Sequence, residues 1–244
     1  AQGIYEMYIN GERMGDDWFN PGNEEYRERI AYHTYDVTDM LQQGENAIGA
    51  QLSEGWWSGY QTYTSSNYNY YGDKQALMAK LEITYTDGTT DTVVTDDATW
   101  DYYGDGPVEY GSFYQGERYN ALKEQDGWST VGYDDSAWRD ATVIETREAF
   151  DDYELVTRYD EPAGIVNEIP VKEALGESRP GSGSYIYDMG ENVIGVPQIT
   201  IPDEYVDEGQ EVTVRFAEIL YPDNLAEYTD ADIDGMLMTE NYRA

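Results

Sequence analysis

The chain has 244 residues, 40% of them hydrophobic, which is enough to bury one large or two modest cores. Its 50 acidic residues against 14 basic ones set a formal charge of -36, a field that repels phosphate backbones and anionic lipid heads and excludes nucleic acid as a partner. Cysteine is absent, which rules out disulfides, thiolate chemistry and zinc-thiolate sites and leaves the redox compartment open.

Aromatic residues make up 14% of the chain, led by 25 Tyr, and such flat side chains favour strands. Residues Ile4 to Ile9 read as a strand, Asn10-Gly11 as a type I′ hairpin turn and Glu12 to Met14 as the return. A strand is expected from Arg29 to Val37, a short turn from Thr38 to Leu41, and another strand from Asn46 to Leu52. A second hairpin follows, with Ala79 to Tyr85 and Thr89 to Val94 joined at Asp87-Gly88. After Trp138 the chain is punctuated by Pro, Gly and Ser, at Glu161 to Gly164 and Ser178 to Ser184. Strands are then expected at Tyr185 to Asp188, Ile199 to Ile201 and Glu211 to Phe216. Long helical periods are absent, so the fold class is all-β, a sandwich or jelly roll. Residues 1–150 are assigned to a first domain and 151–244 to a second sandwich that stops before its sheets close. Unpaired strands such as Glu211 to Phe216 then invite self-association. No run of about eighteen apolar residues occurs, and Ala1-Gln2-Gly3-Ile4 lacks the charged start of a signal peptide, so no membrane partner is expected. Localisation stays open.

Several segments, in order and at matching spacing, resemble one known family. They are Gly3 to Asp16 (GIYEMYINGERMGD), Asn20-Pro21-Gly22, Tyr32 to Asp39, Gly44 to Gly49 and Gly55-Trp56-Trp57-Ser58-Gly59. Tyr114 to Asn120, Gly127-Trp128 and Gly132 to Trp138 continue the series, and Tyr187 to Gly195 with Phe216 to Leu220 look like the β-domain that follows. The pattern is similar to the front part of bacterial α-L-rhamnosidases of glycoside hydrolase family 78. The resemblance implies a galactose-binding-like jelly roll, in some members a calcium-assisted rhamnose-binding module, while two glutamates on a downstream helical barrel cut the bond. No catalytic position carries over, because this chain has no helical periodicity to build that barrel. The expectation is therefore a non-catalytic ancillary part, inactive alone, whose partners are rhamnose-containing glycans and the remainder of the parent enzyme. The alternative is a structural or surface-interaction protein without sugar binding.

The candidate sugar contacts lie in two loops. Apolar sugar faces stack on indoles while hydroxyls need amide and carboxylate partners, which selects Trp57, Asn67 and Asn69 in one loop and Asn20, Asn23 and Glu25 in the other. Of the neighbouring indoles, Trp56 is the candidate core anchor. The family pattern of Trp, Thr, Asp after Pro-Gly is here Asn23-Glu24-Glu25. Asp230, Asp232 and Asp234, with Gly235, begin like a calcium loop, but the twelfth place is Asn241 rather than Glu. His33, the only histidine, has no histidine company for a metal or base and is assigned a structural role.

Overall fold

The computed structural model describes residues 1–62, 67–144, 153–177, 181–205 and 207–217. The chain divides into two compact units, Ala1–Gly164 and Ile165–Ala244. Both are built from strands, and the described residues contain only short 3-10 turns besides. The first unit holds β1 (Ile4–Ile9), β2 (Glu12–Arg13), β3 (Arg29–Tyr32), β4 (Ile48–Ser53), β5 (Lys80–Thr84), β6 (Thr90–Val94), β7 (Asp101–Tyr102), β8 (Val108–Ser112), β9 (Gly116–Tyr119), β10 (Arg139–Asp140) and β11 (Glu154–Thr157).

Asn10 and Gly11 both take positive φ, 51° and 87°. Two such residues in a row are what a type I′ turn requires, so β1 folds straight back onto β2, Ile9 facing Glu12. On its other edge β1 pairs antiparallel with β4, from Ile4 opposite Ser53 to Ile9 opposite Ile48. Alternation along β1 sends Met7 and Ile9 into the core. The ring of Trp128 covers this sheet, edge-on to Tyr8 at 5.2 Å. A Cβ on Gly49 would lie 2.5 Å from that indole, so the close approach needs glycine there.

The hairpin of β5 and β6 forms as expected around Asp87-Gly88, with Lys80 opposite Val94 and Thr84 opposite Thr90. The strand expected from Arg29 to Val37 stops at Tyr32. Its partner is β11, which lies parallel to it from Glu154 opposite Arg29 to Thr157 opposite Tyr32. A strand lasts only as long as its ladder, and this one closes with the Arg158 amide donating to the Tyr32 carbonyl at 3.3 Å. Thr38–Met40 forms the expected turn as a single 3-10 turn. The antiparallel hairpin of β8 and β9 was hidden in the sequence by Gly111 and Gly116, which interrupt its alternation.

The second unit pairs β12 (Glu173–Glu177) with β13 (Tyr185–Asp188), antiparallel and with a bulge between Ala174 and Gly176. On β13 Ile186 is buried while Tyr185 and Tyr187 are exposed. Residues 199–201 and 211–216 were expected as strands but form no ladder among the described residues. Alternation makes a segment competent to pair, and only a partner makes it a strand.

Candidate carbohydrate-facing surface

The loop after β4 doubles back on itself. Glu54 accepts the amides of Trp57 at 3.2 Å and Ser58 at 3.3 Å, and the far limb returns through Gln61 to Asn67, Asn69 to Ser58 and Tyr71 to Trp57 backbone bonds of 3.2 to 3.4 Å. The loop is anchored to β8 by the Glu54 carboxylate, which accepts the Gly111 amide at 2.9 Å. Gly55 holds φ +50° against Ile4, where a Cβ would lie 2.5 Å from the Ile4 side chain.

Packing decides the roles of the two indoles. Trp57 is 3% exposed and packs with Tyr26, Ile30 and Tyr71. Its ring stands edge-on to Tyr26 at 5.4 Å and stacks on Tyr71 at 6.0 Å, so it offers no face to a ligand. Trp56 is half-buried: it packs against the edge of that same cluster and stacks on Phe113 at 5.1 Å. Trp57, expected at the sugar, is thus the fully buried core anchor, and Trp56, the candidate for that place, packs there only in part.

The two predicted loops meet. Tyr26 seats the second loop by packing on Tyr71 at 4.9 Å, and its hydroxyl donates to the Gly22 carbonyl at 2.6 Å. Next to it, the Arg27 guanidinium lies 4.3 Å over the Tyr70 ring and 4.9 Å over that of Tyr71. The Tyr71 hydroxyl donates to Glu25 at 3.4 Å. Burial, with the Glu25 carboxylate beside it, pushes that hydroxyl up to about 12, so it remains a donor at neutral pH. Glu24 is committed elsewhere, accepting the Arg29 guanidinium at 2.7 Å.

Of the predicted contacts, Asn23, Glu25 and Asn69 are exposed here and Asn67 is half-buried, its amide donating to the Thr62 hydroxyl at 3.4 Å. Asn20 is 4% exposed, and its side chain is spent within the protein. It donates to the Tyr35 hydroxyl at 3.1 Å and accepts from Arg158 at 3.2 Å. Asp230, Asp232 and Asp234 lie outside the described residues. Among the described residues no group of three or more His, Asp or Glu is placed to hold a metal ion.

Sequence reasoning missed Arg27, Tyr70 and the aromatic group of Phe19, Trp56 and Phe113. Phe113, at the tip of the β8 to β9 hairpin, is 58% exposed and edge-on to Phe19 at 5.9 Å. The aromatic pair Trp56-Trp57 between glycines was the available signal.

Residues 1–167 match the alpha-L-rhamnosidase N-terminal domain, and residues 178–243 match the bacterial alpha-L-rhamnosidase concanavalin-like domain. An alpha-L-rhamnosidase of Streptomyces avermitilis is 34% identical over 244 residues, covering 99% of this chain and 22% of its own length. One from Alteromonas sp. is 36% identical over 253 residues, with 100% and 24% covered. Among solved structures, the Streptomyces avermitilis enzyme complexed with L-rhamnose superposes with a TM-score of 0.69 at 34% identity, over 78% of this chain and 18% of that one. The native enzyme of Aspergillus terreus gives 0.70 at 34%, over 79% and 21%. The chain spans less than a quarter of the length of the curated relatives it matches. With more than half of its residues inside the first match, the chain belongs to the α-L-rhamnosidase N-terminal domain family.

Proposed function

We propose that the chain is a non-catalytic, carbohydrate-binding part of an α-L-rhamnosidase, directed at L-rhamnose-containing glycans. The observation that carries this reading is the convergence of the two loops, where half-buried Arg27 lies over exposed Tyr70 and Glu25 accepts from Tyr71, with Asn23 and Asn69 exposed in the same two loops. That meeting of loops joins an aromatic ring to carboxylate, guanidinium and amide groups, the chemistry that sugar hydroxyls and apolar sugar faces require. Trp57 supports it by packing on Tyr26 and Tyr71. The second reading, a scaffold that contacts the rest of the parent enzyme, is favoured by exposed Phe113, backed by half-buried Phe19 and Trp56. Self-association belongs with that reading, through residues 211–216, which form no ladder among the described residues. Light scattering across a wide concentration range tests it, and strict monomer behaviour contradicts it. Calcium has no fitting donor set among the described residues, so it enters only as an arm of the binding test.

A glycan array separates the two readings. Sugar binding gives signal confined to rhamnose-terminated glycans, and a scaffold gives none. The same preparation releases no rhamnose from an aryl rhamnoside; turnover that follows the protein through gel filtration contradicts the non-catalytic assignment.

A further inference from the structure

Outside the sugar-facing surface, the first unit buries a polar cluster where its two ends meet. His33 follows β3 directly, and its side chain is 4% exposed. Its Nδ1 lies 3.8 Å from the Asp17 carboxylate and 3.4 Å from the Tyr35 hydroxyl. The same Asp17 oxygen is 3.6 Å from the Arg158 guanidinium. Arg158 follows β11 and gathers the end of the unit: it donates to Asn20 at 3.2 Å and to the Glu161 carbonyl at 3.2 Å, and pairs with Asp160 at 3.0 Å. Two residues beyond, the Ala163 carbonyl accepts the Trp18 amide at 2.8 Å. One carboxylate, Asp17, is therefore shared between a permanent cation and the single imidazole of the chain.

We propose that His33 is a proton-operated latch on the segment closing the first unit, residues 154–163, holding it while the imidazole is neutral and loosening it once the imidazole is charged. A charged His33 competes with Arg158 for Asp17 and repels the guanidinium. Arg158 then loses its hold beside Asn20, and the adjacent Trp18 to Ala163 bond opens with it. The other groups that bear on the ring are Tyr5, edge-on at 6.2 Å, the Pro21 carbonyl and the amino group of Ala1, which burial lowers to about 6. The sign is consistent: burial first, then Arg158, hold the imidazole below its ordinary value despite the pull of Asp17. The unfolded chain thus binds the proton more readily, and stability falls as pH drops through the ordinary histidine range, near 6.5.

Amide hydrogen exchange tests the latch. The Trp18 and Arg158 amides report the two closing bonds. After correction for intrinsic rates, their opening in the wild type rises about tenfold between roughly pH 7.5 and pH 5. In His33→Gln the opening is flat with pH, any residue of slope belonging to Ala1. A flat wild type, or an equal rise in His33→Gln, overturns the proposal. If the variant does not fold, the wild type decides alone: the midpoint of opening must coincide with the midpoint of the His33 imidazole resonance, and a mismatch overturns it.

Discussion

The guanidinium of Arg27 lies over the Tyr70 ring, 4.3 Å from its centroid, and donates to the Tyr70 carbonyl at 3.4 Å. This contact ties two loops more than forty residues apart in sequence into one surface, and Tyr70 remains 48% exposed while held there. Cation–π contacts at exposed sites contribute about 0.5–1 kcal/mol. Arg27→Ala and Tyr70→Ala should therefore each lower unfolding free energy by no more than about 1 kcal/mol in urea titration, while weakening sugar binding severalfold. A loss of binding accompanied by a large loss of stability contradicts the surface role.

The two indoles give the opposite contrast. Trp57, packed with Tyr26, Ile30 and Tyr71, should cost about 3–5 kcal/mol when cut to Ala, the range for buried aromatics. Trp56→Ala should cost roughly half as much or less, because Trp56 is only half-buried where it meets the core and Phe113. Equal costs in denaturant unfolding contradict the assignment of Trp57 as anchor.

The hairpins were legible because their signal is local. Asn10-Gly11 and Asp87-Gly88 each declare a turn geometry, and the strands on either side alternate cleanly. The pairing of β3 with β11 was not legible, since strand order across more than a hundred residues leaves no mark in either segment. The candidate loops were identified from their amides and indoles, but which side chains face solvent depended on packing. Asn20 resembles a sugar contact in sequence and is consumed by Tyr35 and Arg158 in the fold. Arg27 carries no sugar signature in sequence and gains its place only when Tyr70 arrives beneath it.

The Asn10-Gly11 turn can be broken without touching any site. Gly11 holds φ +87°, and a Cβ there would sit 2.9 Å from the Thr130 methyl group. Gly11→Ala should destabilise by about 1–2 kcal/mol through left-handed strain. Unfolding free energy unchanged within error contradicts the I′ geometry.

Alkaline stability should be limited by buried phenols. Tyr8 and Tyr71 are each pushed up to about 12, burial being the largest cause in both. The unfolded chain releases these protons near pH 10 and the folded chain holds them, so stability is full below about 10 and is lost as pH rises toward 12. Phenolate absorbance should consequently appear in two stages, exposed tyrosines first and the buried ones together with unfolding. A single stage near the ordinary tyrosine value, with the fold intact, contradicts the burial of these hydroxyls.

The most direct test of the sugar-facing surface is calorimetric titration of the chain with L-rhamnose, once with calcium and once with chelator. A single monosaccharide on a shallow face should bind with a dissociation constant of roughly 0.1 to a few millimolar, about 3.5–5.5 kcal/mol. An Asn23→Ala, Glu25→Ala double variant, altering only exposed side chains, should keep the fold and lose the heat. Binding that survives the chelator keeps the lectin role and removes the metal from it. No heat in either condition, from protein shown to be folded, contradicts the account and leaves the scaffold.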